Sequence, residues 1–391
     1  MNIAILIPSL GGGGAERVAQ IIGDYYCEKG ETVYYFLADN GVKQVYSVKG
    51  QIVNTGIKEV CGDDASGYFW TLAEMMKPSL KLRKLKWKYH IDVAISFMER
   101  FNYINVLSKG KEKVITRICT VLSEREDVRG PLYSKSMLHL LYNHSDAVVV
   151  MSDYVKKDMY KKYDVSTAKM YKIPNPAIRY DENGLESEWI YGNYAVICVG
   201  RLDKIKQHEK IIRAFSYVKS YCKDAVLIIL GTGPNKQYLS KLCKQYDIEN
   251  SVFFMGFTEN IGFYLKNSRV FVMASKVEGF PNSMVEAMAF GVPVVTTDSP
   301  GACGEIVGGE RFVNSSMKIQ YCKYGILTPV TFGRIKQGER WSEDEKLLGE
   351  GILKILQSEK LYVKYNKQSL KRASMYSLEK VMMKWDRLIK K

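Results

Sequence analysis

The sequence predicts an α/β protein built from two doubly wound parallel sheets. Short apolar runs alternate with helical patterns along almost all of the 391 residues, which is typical of repeated βα units. The runs form two series, separated by a polar, turn-rich stretch at 175–194. We therefore expect two Rossmann-like domains, 1–178 and 190–376, that face each other across a cleft. Open α/β sheets bind ligands at the carboxyl ends of their strands, so both sheets would present their functional loops to that cleft.

Each strand is predicted from a run of apolar and β-branched residues. In the first series these runs are 3–7, 33–37, 93–97, 114–118, 147–151 and a short 172–173. In the second series they are 195–199, 226–230, 252–254, 270–273 and 292–296.

The composition disfavours several classes of protein. No apolar run approaches the roughly 18 residues of a membrane-spanning helix, and the N-terminus lacks the basic region of a signal peptide. Eight scattered cysteines without a C-x-x-C pair favour reduced thiols in a cytoplasmic protein. The four histidines also lack metal-ligand spacing, so we expect no metal site.

The charge is strongly basic and unevenly placed. The net charge is +15, and the stretch 354–391 alone holds 11 basic and 3 acidic residues. Such an excess suits an anionic partner, which could be nucleic acid, a membrane surface or a phosphorylated substrate. A solvated basic face is the alternative interpretation.

The first candidate site is the glycine run from Gly11 to Gly14, which follows the first strand and opens a helix. Glycines let a ligand approach the backbone closely, and a helix N-terminus favours a phosphate. Read as the dinucleotide fingerprint G-x-G-x-x-G from Gly11, the pattern fails at Glu16, which disfavours a nicotinamide oxidoreductase. A purely structural turn is the alternative.

The second candidate site is GRLDKIK at 200–206, at the end of the strand that begins the second series. Arg201 offers a planar fork of donors and Lys206 a point charge, and together they suit a diphosphate. A solvated basic pair is the alternative.

The third candidate site is EGFPNSMVE at 278–286, followed by AMAFGVPVV. Pro281 would lie near a helix start, so that Glu278 precedes the helix and Glu286 projects from its second turn. Two carboxylates at a helix mouth can hold vicinal hydroxyls, and the amides of Asn282 and Ser283 can hold phosphate.

With these three blocks in the same order, the chain resembles the retaining glycosyltransferases of family 4, which have the GT-B fold. The glycine-rich first loop, the GRL-x-x-x-K block and the EGFPNSMVE acidic motif carry the resemblance, which extends over essentially the whole chain. It also implies that the final helix, within 377–391, crosses back to the first domain.

The resemblance implies a role for each matching residue. Arg201 and Lys206 would bind the pyrophosphate of a nucleotide sugar, Glu286 the ribose hydroxyls and Glu278 the hydroxyls of the transferred sugar. The remaining donor-side positions would line the sugar, the phosphates and the base, and these are Gly12, Gly13, Gly231, Gly233, Phe257, Gly279, Phe280, Asn282 and Ser283.

The chemistry of glycosyl transfer agrees with this assignment. Negative charge develops on the departing phosphate, and fixed cations there stabilise the transition state selectively. No D-x-D sequence occurs in the chain, so Arg201 and Lys206 would take the place of a metal ion. We expect no cofactor other than the nucleotide-sugar substrate, with UDP as the expected nucleotide and a hexose or N-acetylhexosamine as the sugar.

The acceptor side departs from the family pattern. Where family members often carry a histidine or another polar residue near the transferred sugar, this chain has Arg117. Glu99 and Arg100, after the strand at 93–97, would face the acceptor, although an ordinary loop ion pair is the alternative.

A membrane surface is a further expected partner. The segment 77–90, KPSLKLRKLKWKYH, mixes basic residues with Leu, Trp and Tyr, a combination that can dock on anionic lipid, and the basic tail would add to it. We expect an enzyme at the inner face of the plasma membrane, with a polyprenyl-diphosphate-linked or oligosaccharide acceptor in surface polysaccharide synthesis. The alternatives are a sugar-nucleotide 2-epimerase of the same fold and a basic nucleic-acid-binding protein, although no nucleic-acid-binding motif is present and we expect no such partner.

Overall fold

The computed structural model describes residues 1–39, 41–58, 72–125, 133–179, 194–309, 318–330 and 340–391. Most of the predicted linker, 180–193, lies outside the described residues. The chain separates into two compact units, one made of Met1–Asn175 with Val381–Lys391 and the other of Pro176–Lys380.

The first unit is a doubly wound α/β layer. Its strands lie parallel in the order β3-β2-β1-β4-β5-β6-β7, so the order reverses between β1 and β4. The described strands are β1 (Asn2–Ile7), β2 (Thr32–Asp39), β3 (Gln51–Lys58), β4 (Val93–Phe97), β5 (Lys113–Arg117), β6 (Ala147–Val150) and β7 (Met170–Lys172). The described helices between them are α1 (Gly14–Glu28), α2 (Leu72–Lys88), α3 (Glu99–Leu107), α4 (Lys135–His144) and α5 (Asp153–Tyr163).

The second unit repeats this topology. The order is β10-β9-β8-β11-β12-β14-β13, parallel except for the last pair. Its strands are β8 (Ala195–Val199), β9 (Val226–Leu230), β10 (Val252–Gly256), β11 (Val270–Met273), β12 (Val294–Thr297), β13 (Gln320–Tyr321) and β14 (Ile326–Thr328). Its helices are α6 (His208–Tyr221), α7 (Lys236–Gln245), α8 (Ile261–Lys266), α9 (Asn282–Ala289), α10 (Cys303–Gly308), α11 (Glu343–Gln357) and α12 (Glu359–Ala373), and the chain ends with α13 (Leu378–Lys390).

The helix α13 packs into the first unit. Val381, Met382 and Trp385 belong to the same apolar cluster as β1 and α1. Asp386 accepts hydrogen bonds from Lys29 and from the Tyr25 hydroxyl, at 2.5 and 3.0 Å. The two doubly wound sheets and the return of the last helix to the first unit, both predicted from the sequence, are confirmed.

Three strands were not predicted. Strand β3 lies at the edge of its sheet and leaves most of its side chains exposed, so it shows no apolar run. Strands β13 and β14 have only two and three residues, too few for a pattern to be recognised. The short strand predicted at 172–173 is instead Met170–Lys172.

A buried ion pair attaches α2 to the first unit. Lys86 Nζ donates to Glu112 Oε1 at 2.7 Å and to the Asn105 carbonyl at 3.0 Å, and both charged side chains are almost fully buried. Burial lowers the pKa of Lys86 to about 8, although Glu112 opposes that shift. The sequence analysis included Lys86 among the surface cations of 77–90. This prediction was wrong, because Lys86 is buried in an ion pair with Glu112.

Breaking this pair should be costly. We expect Lys86→Ala to lower the free energy of unfolding by about 3–5 kcal/mol, because Glu112 then remains buried without its cation. The double variant Lys86→Met with Glu112→Leu should recover most of that loss. Urea denaturation followed by circular dichroism measures the effect, with Lys84→Ala on the exposed side of α2 as control. A loss in Lys86→Ala no larger than in the control contradicts the structural role.

Candidate functional site

The centre of the candidate site is an ion pair between two loops of the second unit. Lys206, after β8, donates from Nζ to Oε1 of Glu278, after β11, at 2.5 Å. The Glu278 side chain is 8% exposed and that of Lys206 is 31% exposed, so the pair lies just below the surface. Burial acts to lower the pKa of Lys206, but the charge and hydrogen bond of Glu278 outweigh it and the pKa is raised. The Lys206 amine is therefore charged at neutral pH.

The loop after β12 holds the backbone of Glu278. The Glu278 N–H donates to the Pro300 carbonyl at 3.0 Å, and the Ala302 N–H donates to the Glu278 carbonyl at 3.1 Å. Gly301 has a φ of +124°, and a Cβ there would lie 1.6 Å from the Glu278 carbonyl oxygen. Only glycine permits this approach, so Gly301 is required for the position of Glu278.

Two serines complete the support of the Glu278 carboxylate. Ser275, which is fully buried, donates from Oγ to Glu278 Oε1 at 2.7 Å. Ser299 Oγ in turn donates to the Ser275 carbonyl, and it lies 2.9 Å from Thr297 Oγ1. Oε1 of Glu278 thus receives both Ser275 and Lys206, which fixes the orientation of the carboxylate.

Asp203 organises the loop after β8. Its Oδ1 accepts from the N–H groups of Ile205 and Lys206, both at 3.0 Å, and its Oδ2 accepts from Arg201 Nε at 2.8 Å. The Arg201 side chain is 70% exposed, so its remaining guanidinium surface faces solvent. One carboxylate therefore holds the guanidinium of Arg201 and the backbone of Lys206, the two residues that the sequence assigned to a diphosphate.

The glycine turn after β9 packs against that loop. The Leu202 N–H donates to the Thr232 carbonyl at 2.9 Å. A Cβ on Gly231 would lie 2.0 Å from the Gly200 carbonyl oxygen, and one on Gly233 would lie 2.5 Å from that of Leu202. In the structure Gly231 and Gly233 thus support the Arg201 loop. The Gly231 N–H donates to the carbonyl of Gly256, the last residue of β10, and the next residue, Phe257, is 55% exposed.

The EGFPNS segment forms the start of α9. Pro281 is the N-cap and provides no side-chain cap to the first turn, which begins with Asn282 and Ser283. Gly279 and Phe280 lie in the buried approach to the helix, where the Phe280 ring meets Tyr376 edge-on at 5.4 Å. Glu286 lies in the second turn, as its spacing predicted, and is 5% exposed.

In the first unit the glycine run opens α1. Gly12 has a φ of +106°, and its carbonyl accepts from the Tyr46 hydroxyl at 3.1 Å. The Glu16 carboxylate folds back over the helix start, with Oε2 2.1 Å from where a Cβ on Gly13 would lie. A carboxylate of the chain itself thus occupies the helix N-terminus, where the sequence predicted a phosphate.

The acceptor-side candidates lie around the carboxyl ends of β4 and β5. Arg117 is only 1% exposed; its guanidinium donates to Asn175 Oδ1 and to Cys119 Sγ and lies 5.2 Å from the centre of the Phe97 ring. Arg100 donates from Nη1 to the Lys58 carbonyl at 2.7 Å, which ties α3 to the end of β3. Glu99 begins α3 directly after Met98, a non-glycine residue with a φ of +67°.

Sequence reasoning missed four residues of this site. Asp203, Ser275, Ser299 and Gly301 position Arg201, Lys206 and Glu278 through the contacts above. Asp side chains often accept hydrogen bonds from the backbone N–H groups two and three residues further along a turn, so the role of Asp203 could have been predicted from the sequence. Ser275 lies three residues before Glu278 in the same loop, whereas Ser299 and Gly301 reach that loop from the one after β12 and have no such local signal.

Two neighbouring titratable groups also have shifted pKa values. His208 begins α6 and is 4% exposed; burial, and to a lesser extent Lys206, lower its pKa to about 4. Burial raises the pKa of Asp298, in the loop after β12, to about 6. His208 is therefore neutral beside the Lys206 ammonium, which avoids a second cation there.

Comparisons with known proteins point to glycosyltransferases. Residues 186–317 match the family model for glycosyl transferases, group 1. The chain is 31% identical over 282 residues to an uncharacterized glycosyltransferase of Methanocaldococcus jannaschii, a match covering 68% of this chain and 69% of that one.

Two longer matches extend over nearly the whole chain. It is 26% identical to the N-acetylgalactosamine-N,N'-diacetylbacillosaminyl-diphospho-undecaprenol 4-alpha-N-acetylgalactosaminyltransferase of Campylobacter jejuni, with 97% of each chain covered. Its fold matches an Anabaena protein solved in complex with UDP and glucose, with a TM-score of 0.74 at 18% identity, over 100% of this chain and 99% of that one.

The buried histidine should make the fold sensitive to acid. The unfolded chain protonates His208 near pH 6.5 and the folded chain only near 4, so stability falls as pH drops between these values. We expect the protein to lose about 2 kcal/mol more than His208→Gln between pH 7 and pH 5. Chemical denaturation of both proteins at the two pH values measures the difference. Equal losses would show that His208 titrates normally in the folded state.

Proposed function

Since the chain belongs to the group 1 glycosyltransferases, we propose that it moves a hexose or N-acetylhexosamine from a nucleotide sugar to a lipid-linked or growing glycan, with retention of the anomeric configuration. The observation that carries this proposal is the Lys206–Glu278 pair beside Arg201. It combines two cations suited to a diphosphate with a carboxylate suited to sugar hydroxyls, all on loops at the carboxyl edge of one sheet.

The donor reaction follows from these charges. The bond between the anomeric carbon and the diphosphate oxygen breaks, and the acceptor oxygen forms its bond on the same face while its proton passes to the departing phosphate. Arg201 and Lys206 stabilise the negative charge that develops on that phosphate. Glu278 orients the sugar hydroxyls and need not form a covalent bond.

The side chains of Arg201 and Lys206 can neutralise the negative charge of the departing diphosphate. A planar guanidinium and a compact ammonium together present several donors to the phosphate oxygens. The absence of a D-x-D sequence supports a reaction that proceeds without a metal ion, and we propose no cofactor besides the nucleotide-sugar substrate. Full activity in the presence of a chelator is the expected result.

The donor nucleotide is proposed as a uridine diphosphate. A protein of the same fold was solved with UDP and glucose, and the resemblance implies that Gly231, Gly233 and Phe257 lie near the base. A thermal-shift panel of nucleoside diphosphates and sugar nucleotides tests the base and the sugar separately.

The acceptor is proposed to be a polyprenyl-diphosphate-linked glycan in surface polysaccharide synthesis. The Campylobacter jejuni relative, named for a diphospho-undecaprenol substrate, matches this chain over 97% of its length, which supports an acceptor of the same class. Such an acceptor lies in a membrane, so we propose peripheral association with the inner face of the plasma membrane. No helix in the described part of the chain is long and apolar enough to cross a bilayer.

The cytoplasmic side is supported by the thiols. The cysteines that the structure describes form no disulfide bond, as expected in a reducing compartment. They are Cys27, Cys119, Cys198, Cys222, Cys243, Cys303 and Cys322.

Loss of the Lys206 ammonium should impair transfer strongly. We expect Lys206→Ala to lower kcat more than tenfold, because the departing phosphate loses a fixed cation. Turnover is measured as sugar transferred from the nucleotide sugar to a lipid-linked acceptor, and circular dichroism checks the fold. Lys204→Ala, two residues away and exposed, is the matched control. Unchanged kinetics in Lys206→Ala, or an epimerised nucleotide sugar as the product without acceptor, contradicts the proposal.

The serine that holds Glu278 should matter for the chemical step. We expect Ser275→Ala to lower kcat roughly tenfold with little change in KM, because the carboxylate loses one of the two donors on Oε1. Ser275→Thr keeps the hydroxyl and should recover most of the rate. If Thr and Ala lower kcat equally, packing at this buried position explains the effect and the hydrogen bond does not.

A further inference from the structure

Helix α2 exposes large apolar side chains along one face. Met76, Leu80 and Trp87 are 49, 58 and 80% exposed. Their separations of four and seven residues place them on the same side of a helix, one above the other over three turns. A row of this kind on a helix is unusual because each side chain remains in contact with water.

Basic side chains flank this row. Lys77, Lys84 and Lys88 follow one side of it and Arg83 the other, and all four are exposed. Glu74, in the first turn, is the one acidic residue within α2. The exposed face therefore combines apolar and aromatic groups with several positive charges.

The opposite face of α2 is held firmly in the first unit. Met75 and Leu82 are fully buried, Ser79 is 3% exposed, and Lys86 pairs with Glu112. The sequence analysis included Leu82 among the apolar surface residues of 77–90. This prediction was wrong, because Leu82 is buried in the core. The exposed row belongs to a well-packed helix whose inner face is already occupied.

Two other basic helices, α12 and α13, lack this combination. Helix α13 packs its apolar face, including Trp385, into the core of the first unit. The outer face of α12 carries Lys364, Lys367 and Lys371 with Val363 and Leu370, but Tyr362 and Tyr365 of that helix are not exposed. An exposed aromatic ring beside the cations is found on α2 and not on these two helices.

We propose that this face of α2 is the surface by which the enzyme docks on a bilayer of anionic phospholipid, with Trp87 inserted at the level of the headgroups. An amphipathic helix with cations around an apolar row lies in the plane of the interface, where indole rings are favoured. Each cation near an anionic surface adds to the attraction. This docking rests on the proposed function, because an enzyme with a lipid-linked acceptor must reach the membrane surface.

The direction of α2 gives the docking a consequence for the acceptor. The helix follows β3 and precedes β4, so it begins at the carboxyl edge of the first sheet. Arg100 donates to the carbonyl of Lys58, the last residue of β3, at that same edge. The start of α2 and the acceptor-side candidate Arg100 therefore lie at the same edge of the first sheet.

The test is flotation of the full chain with vesicles of phosphatidylcholine, with and without phosphatidylglycerol. We expect binding only to the anionic vesicles, weakening steeply with salt. Lys77→Glu with Lys84→Glu should weaken binding by roughly 30-fold or more, and Trp87→Ala by roughly tenfold. Lys364→Glu with Lys367→Glu on α12, and Tyr221→Ala at another exposed aromatic, are the matched controls and should leave binding unchanged.

The outcomes separate the docking proposal from the proposed function. Sugar transfer to a lipid-linked acceptor without flotation overturns the docking alone, and flotation without any transfer overturns the function alone. Equal losses from the α2 and α12 charge reversals show non-specific attraction and overturn the docking on α2. A change of oligomeric state in Trp87→Ala, measured by light scattering, shows instead that the face joins two copies of the chain.

Discussion

The ion pair between Lys206 and Glu278 is the contact on which the candidate site of this protein depends. Two charges just below the surface are tolerated there because each compensates the other, and the hydrogen bond from Ser275 satisfies the carboxylate further. The pair follows from the topology. Strands β8 and β11 are neighbours at the point where the strand order of the second sheet reverses, so the loops after them lie side by side.

The loops around the pair are held by close contact between backbones. Gly301 lies against the Glu278 carbonyl and Gly231 against that of Gly200, at distances that exclude any Cβ. Such contacts leave the loops little freedom, because each carries hydrogen bonds as well. A charged site built in this way needs little rearrangement when charge develops on a bound phosphate, which is what makes preorganised charges effective in catalysis.

Much of the fold was visible in the sequence because parallel strands are buried on both faces. Runs such as VLIIL in β9 are apolar throughout and are found by inspection. Strand β3 escaped prediction because an edge strand needs no apolar run on its exposed side. The helix position of Glu286 followed from local spacing alone, and Asp203 could have been found in the same way. The approach of Ser299 and Gly301 to the Glu278 loop could not, because it joins the loops after two different strands.

The sequence by itself determined the alternation of strands and helices, the two sheets, the motifs that mark the family and the residue types available for a diphosphate and a sugar. These depend on local pattern, and local pattern is written in neighbouring residues. Only the tertiary structure decided that Lys206 is paired with Glu278, that Arg117 is enclosed and that Lys86 faces the core while Trp87 next to it faces water. Burial and pairing arise when segments far apart in the chain meet, and the residues within one segment do not specify what they will meet.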